Sequence, residues 1–157
     1  MSMEWIRESN LIENVDDVAE DKRGAKTFQL LQRKEMSLGT IRWIHKSLMV
    51  ELRPDIAGQW RRCNVSVGGY VAPAWPSVPH RMAEWLAQWD GMRVAEDIQC
   101  AHVAFENVHP FEDGNGRTGR MIMNWQRAMA GLEPLCIKAS ERGEYYKWFT
   151  NERPPHD

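Results

Sequence analysis

The twelve residues "HPFEDGNGRTGR", His109 to Arg120, bring together one histidine, two carboxylates, three glycines, one asparagine and two arginines. Gly114-Asn115-Gly116 leads directly into a predicted helix. Glycines let backbone N–H groups approach a ligand, and a helix N-terminus favours negative charge. Arg117 and Arg120 follow at i, i+3, so they share a face of the first turn. Cations are unfavourable at that end of a helix unless an anion sits there. Two of them therefore point to a polyphosphate, which guanidinium groups grip bidentately.

Asp113 stands just before this anion hole. A carboxylate beside bound phosphates is a natural Mg²⁺ ligand, with phosphate oxygens and water completing the octahedron. His109 lies across the same loop at the end of the preceding predicted helix, and its ordinary pKa is near neutral. Nearby positive charge favours its uncharged form, which accepts a proton from a hydroxyl nucleophile. Phe111 is the apolar member and is expected to pin the loop into the core. Taken singly, each polar residue reads as a cap or a surface charge; all of them within twelve positions read as a site. The stretch is neither a GxxxxGK(S/T) phosphate loop nor a dinucleotide fingerprint, since no strand precedes it.

The elements that must carry this loop are mostly helical. Ser9 to Ala25 reads as a polar helix capped by Ser9 or Asn10, with Leu11, Ile12, Val15 and Val18 on one face and Gly24 ending or bending it. Ser37 caps a helix with Leu38, Ile41, Ile44, Leu48 and Leu52 at helical spacing, closed by Pro54 and Gly58. Val65 and Val67 alternate with polar residues before Gly68-Gly69, then Tyr70 and Val71, which predicts a short β-hairpin. Such a hairpin must lean on the helices to be stable. Ser77 caps a helix bearing Met82, Trp85, Leu86 and Trp89. Val94 to Val108 forms the next, and it stops before Pro110. A helix from about Asn115 to Gly131 follows, then a helical "SERGEYYKWF" and a loose tail "NERPPHD". His45 and His102, alone within helices, are read as structural.

At 157 residues and 43% hydrophobic composition, the chain suits one globular unit. Residues 1–36 form its N-terminal helical segment and 37–157 its core. A net charge of −2 gives no global attraction to nucleic acid or an anionic membrane. The longest uncharged run, Asn64 to His80, is broken by glycines and prolines and cannot span a bilayer. The opening "MSMEWIRESN" carries charges where a secretory leader needs an apolar run. Cys63, Cys100 and Cys136 lack metal or disulfide spacing. Together these set the expectation of a cytoplasmic protein.

The motif resembles the signature of Fic-domain proteins, HPFx(D/N)GNGRxxR, and matches at His109, Pro110, Phe111, Asp113, Gly114, Asn115, Gly116, Arg117 and Arg120. "VSVGGYVAPAWPSVP" is similar to the flap hairpin of that family, and the likeness extends over about residues 37–150. It implies a mainly α fold with a small β-hairpin flap, and transfer of AMP from ATP to a Tyr, Thr or Ser hydroxyl of a target protein. On that analogy His109 is the general base and Asp113 holds Mg²⁺. Gly114, Asn115 and Gly116 cradle phosphate oxygens, and Arg117 and Arg120 bind the β- and γ-phosphates. Val65, Ser66, Val67 and Gly68 grip the target segment as an added strand. Tyr145, Tyr146 and Asn151 fall where members contact the nucleoside. Phosphorylating members carry Lys in place of the second motif glycine; Gly116 favours nucleotidyl transfer.

The family also has an inhibitory motif: Ser or Thr, three residues, Glu, then Gly or Asn. "SNLIEN" matches it at Ser9, Glu13 and Asn14. The resemblance implies that Glu13 pairs with Arg120 and takes the place of the γ-phosphate. Two other activities remain open within the resemblance: hydrolytic removal of AMP from a modified protein, and transfer of a different nucleotide or phosphate moiety.

Overall fold

The computed structural model describes residues 2–152. Their elements run α1 (Glu4–Ile12), α2 (Val18–Leu31), α3 (Leu38–Met49), β1 (Ser66–Val67), β2 (Tyr70–Val71), α4 (Val78–Trp89), α5 (Ala95–Val108), α6 (Asn115–Met129) and α7 (Arg142–Glu152). Short 3-10 turns at Trp75–Ser77 and Ala139–Glu141 lead into α4 and α7. The expected mainly α architecture with one small hairpin is what the chain adopts. Among the described residues no helix is long and apolar enough to cross a membrane.

α6 is the axis. It packs against α1, α2, α3 and α5, and its side chains are buried nearly all round from Asn115 to Gln126, as expected of a central helix. One core spans the helices: Trp5 and Ile6 from α1, Phe28 and Leu31 from α2, Ile41 and Ile44 from α3, Met82 and Trp85 from α4, Phe105 from α5, and Ile122 from α6. The described residues 2–36 thus share a core with the rest.

The N-terminal boundary differs from the expected one. Ser9 and Asn10 lie inside α1 and are buried, so neither caps a helix. α1 ends at Ile12, Asn14 takes the left-handed conformation at φ 59°, and α2 starts afresh with Asp17 Oδ1 accepting from the Ala19 N–H at 2.8 Å. Asn tolerates that conformation, and Asp is a strong N-cap. Trp5, Ile6 and Ile12 supply α1 with its buried face. Gly24 does not break α2: a Cβ there would stand 2.6 Å from Ile6 Cγ2, so the missing side chain lets the two helices meet.

Ser37 caps α3 as expected, accepting from the Thr40 N–H at 3.0 Å. Leu52 falls beyond α3 and is exposed, because turns toward Pro54 and Gly58 replace the last helical turn. Ser77 does not cap α4; it ends the 3-10 turn, and its hydroxyl donates to the Ala74 carbonyl at 2.7 Å. α7 runs through Asn151 and Glu152, two residues of the tail expected to be loose. Residues 153–157 of that tail, and the Asn151 side chain, lie outside the described residues. The hairpin is antiparallel with Ser66 opposite Val71 and Val67 opposite Tyr70. Gly68 and Gly69 both have positive φ, the two-residue turn that matches strand twist.

Candidate active site

The loop between α5 and α6 is built to present His109. α5 ends with His109 in the left-handed region, φ 51° and ψ 62°, its N–H donating to the Phe105 carbonyl at 3.1 Å. That conformation costs a non-glycine residue about 1 kcal/mol, so the surroundings must hold it. Phe111 is fully buried. It stacks on His45 at 3.7 Å between ring centroids and on Trp60 at 5.1 Å. The Asn115 side chain closes the loop: Oδ1 accepts from the Phe111 N–H and Nδ2 donates to the Phe111 carbonyl, each at 2.8 Å.

His45 is structural, as expected, and has a definite task. Its Nε2–H donates to the Asp113 carbonyl at 2.7 Å, and its Nδ1 accepts from the Gly58 N–H at 2.9 Å. The bond accepted at Nδ1 requires the neutral ring, and burial pushes its pKa down to about 4. A Cβ on Gly114, which has φ 83°, would stand 2.7 Å from Met49 Sδ. Only glycine therefore fits against α3 at that turn.

A cavity of about 470 Å³ opens over this loop. Its walls include Glu13, Val67, Gly68, Glu106, His109, Glu112, Asp113, Gly114, Asn115, Gly116, Arg117, Arg120, Tyr145 and Tyr146. The His109 Nδ1 lies 3.3 Å from the Glu106 carbonyl and 3.9 Å from the Glu106 carboxylate. A carbonyl only accepts, so Nδ1 carries a proton, and it is the neutral ring of that tautomer that has its lone pair on Nε2. The exposed Asp113 carboxylate accepts from the Gly114 N–H at 2.8 Å through one oxygen. No cluster of three or more potential ligands exists among the described residues. Mg²⁺ beside substrate phosphates needs only one or two carboxylates, and a lone Asp113 at the mouth of an anion hole fits that donor set.

Arg120 is held from four directions. Its Nε donates to Ser9 Oγ at 2.8 Å, Nη2 to the Ser9 carbonyl at 3.0 Å and to Glu13 Oε1 at 2.7 Å, and Nη1 to the Tyr145 hydroxyl at 3.2 Å. Burial opposes its charge, and Tyr145 and Glu13 outweigh that penalty. Tyr145 receives from Arg120, so its own proton goes to His102 Nε2 at 2.7 Å. Burial and Arg120 push the His102 pKa down to about 3, which keeps that ring an acceptor. Glu13 sits over Gly116: a Cβ there would overlap Glu13 Oε1. Arg117 is buried, with Nη2 3.1 Å from Met49 Sδ; burial lowers its pKa, while Asp113 and Glu13 act to raise it.

The structure therefore brings His109, Asp113, Gly114, Gly116, Arg117, Arg120, Glu13, Val67 and Gly68 to one cavity. Four expectations change. The Asn115 side chain is spent on the loop, so only its backbone remains for a phosphate. Tyr145 lines the cavity, yet its hydroxyl is committed to Arg120 and His102; Tyr146 lines the same cavity and is exposed. Val65 and Ser66 are not among the lining residues, and Asn14 is exposed at the end of α1, where it terminates the helix. Sequence reasoning missed Glu106 and Arg61. Glu106 had a signal, one helical turn before His109. Arg61 had none, since its partners at the end of α5 lie 47 and 48 residues away.

The site thus combines a small hairpin, the N-terminus of a buried central helix carrying two arginines, and a histidine on the loop before it. The sequence model of the Fic/DOC family matches residues 35–126, and the chain belongs to that family. It is 34% identical over 122 residues to a protein named "Protein adenylyltransferase Fic" from Drosophila grimshawi, a match covering 74% of this chain and 25% of the relative. The chain thus spans about a quarter of the length of the curated relatives it matches. A Fic domain containing signaling protein from Bacteroides thetaiotaomicron superposes with a TM-score of 0.80 at 17% identity, covering 92% of this chain and 69% of the other. BepC from Bartonella tribocorum, solved with bound AMPPNP, superposes at 0.56 and 19% identity, covering 78% and 69%.

Proposed function

We propose that this chain is a Mg²⁺-dependent protein adenylyltransferase, moving AMP from ATP to a Tyr, Thr or Ser hydroxyl of a target protein, and that Glu13 holds it inactive. One observation carries the reading: the His109 ring, the Gly114–Gly116 backbone and the Glu13–Arg120 pair share a single cavity. The adenylyltransferase names of its relatives and the AMPPNP bound to BepC support an adenine nucleotide as donor.

The chain's groups divide the work. The target segment lies along the flap at Val67 and Gly68, which places its hydroxyl near His109. Nε2 takes the hydroxyl proton, the oxygen bonds to the α-phosphorus, the α–β bridge breaks and pyrophosphate leaves. The backbone N–H groups at the start of α6 and the two arginines stabilise the charge on the phosphoryl oxygens. Mg²⁺ would be held by Asp113 and, when bound, neutralises the polyphosphate. Glu13 occupies Arg120, so the γ-phosphate loses its clamp and the α-phosphorus is not brought in line.

A second reading has its own support. The Glu13 carboxylate faces the cavity that holds His109, where it could instead accept a proton from water attacking an AMP-modified hydroxyl. Incubating the Glu13→Gly form with candidate proteins and mixed nucleotides, followed by mass spectrometry, tests the main reading by the mass added and its site. Release of AMP from a pre-modified target by the unaltered chain, lost on Glu13→Gly, would favour the second.

A further inference from the structure

Arg61 is a buried cation whose hydrogen-bond acceptors, among the described residues, are all main-chain carbonyls. Burying a guanidinium without a carboxylate is costly, and burial lowers its pKa. The acceptors come from two places only. Nε donates to the His109 carbonyl at 2.6 Å and Nη2 to the Val108 carbonyl at 3.2 Å, while the Arg61 N–H donates to the Pro110 carbonyl at 2.9 Å. Nη1 donates to the Cys63 carbonyl at 2.9 Å and Nη2 to the Pro73 carbonyl at 2.6 Å.

The first set is the turn that leaves α5: Val108 is the last helical residue, and His109 and Pro110 follow it. The Val108 carbonyl lacks a helical partner and lies at the negative end of the helix dipole; with the two turn carbonyls it stands in for a counter-ion to Arg61. The second set consists of the two stems of the hairpin, Cys63 before β1 and Pro73 after β2. Each strand is two residues long, too short to hold a position unaided. One side chain therefore ties the flap to the left-handed turn that presents His109.

We propose that Arg61 is a positioning residue, the joint that fixes the flap's distance from His109 and so aligns an acceptor hydroxyl with the base. Its consequence for catalysis rests on the transferase reading; the joint itself does not. The planar fork matters as much as the charge, because a lysine ammonium cannot serve both sets of carbonyls at once.

The test uses Arg61→Gln and Arg61→Lys in the full chain, each alone and with Glu13→Gly. Hydrogen exchange read by mass spectrometry should quicken together in segments 62–74 and 107–112, while 115–126 keeps its protection. Calorimetry with Mg²⁺ and a non-hydrolysable ATP analogue should give an affinity within about twofold of the parent. Auto-labelling with radiolabelled ATP should lose about ten- to hundredfold in kcat, the range that misplacement costs, with the KM for ATP unmoved. Arg61→Lys, which keeps the charge if Arg61→Gln fails to fold, should not rescue kcat. Exchange that quickens in one segment only, or in neither, would overturn the joint. A full kcat in Arg61→Lys, or a parallel loss of nucleotide affinity, would overturn the positioning role. If the Glu13→Gly parent labels nothing, the transferase reading fails, and the paired exchange of the two segments still decides the joint.

Discussion

Glu13 Oε1 and Arg120 Nη2 meet at 2.7 Å, and the two sides of the pair are unequal: the Arg120 side chain is 3% exposed and that of Glu13 37%. Arg120 would keep Ser9 and Tyr145 if the glutamate left. Glu13 has only that guanidinium as a recorded ion-pair partner among the described residues. The arginine is the fixed half and the glutamate the movable half. A nucleotide phosphate competing for Arg120 needs to displace one side chain, with no rearrangement of α6.

Replacing Glu13 by Gly should accordingly raise auto-adenylylation by about ten- to hundredfold, the equivalent of one charge-assisted hydrogen bond. Because the carboxylate is partly solvated, its loss should lower the melting temperature by only a few degrees. Labelling with radioactive ATP reads the first effect and calorimetry the second. Equal labelling of the two forms would remove Glu13 as the inhibitor.

His109→Ala should abolish labelling both in the native background and beside Glu13→Gly. In the proposed mechanism the imidazole takes the proton and binds no phosphate, so the affinity for an ATP analogue should hold within about threefold. Residual transfer at a comparable rate would make another group the base.

Transfer should stop in excess chelator and return with Mg²⁺. Asp113→Asn keeps the size of the side chain and removes its charge. Since Mg²⁺ is held by few protein carboxylates, this change should shift the Mg²⁺ activation curve to higher concentration. An unshifted curve would move the metal away from Asp113.

The site was legible because its reactive groups sit in one contiguous loop whose residue types state their chemistry. The loop's supports were not, because they come from distant parts of the chain. His45 meets Asp113 across 68 residues, and Arg61 reaches His109 across 48. Asn115 and Tyr145 show a subtler limit: both line the cavity, but side-chain direction depends on neighbours that spacing does not reveal. Ser9 and Asn10 read as caps by type, and three buried apolar residues of α1 overrode that preference. Glu13 was readable only through its distant likeness to the inhibitory motif, since it lies outside the matched 35–126 stretch.

Acid should weaken the fold before the carboxylates titrate. His45 and His102 have folded pKa values of about 4 and about 3, both below the ordinary 6.5 of an unfolded histidine. The unfolded chain therefore binds more protons across that interval. The stability owed to the neutral rings is fully present above pH 6.5 and is lost as pH falls toward 4, continuing toward 3 for His102. Each ring contributes a slope of roughly 1 kcal/mol per pH unit. Urea midpoints measured from pH 7 to pH 4.5 should fall steadily, and His45→Gln should flatten the decline. A level profile over that range would contradict the buried neutral rings.

Deleting α1 should not mimic the Glu13 substitution. Trp5, Ile6 and Ile12 are each less than 5% exposed, and burying such side chains stabilises by about 1.5–3 kcal/mol apiece as an upper estimate. Glu8 also accepts from the Ala139 N–H at 2.8 Å, and Ser9 holds Arg120. The sum rivals the roughly 5–15 kcal/mol that a domain has in total. A chain starting at Val15 should lose its cooperative melt, or melt more than about 10 °C lower, whereas Glu13→Gly stays folded and active. Circular dichroism on the two forms, beside labelling, separates the cases. A truncated chain that melts normally and labels strongly would make α1 a detachable lid. The shared core requires the opposite: α1 stays in place, and under the proposed inhibition only the Glu13 side chain moves.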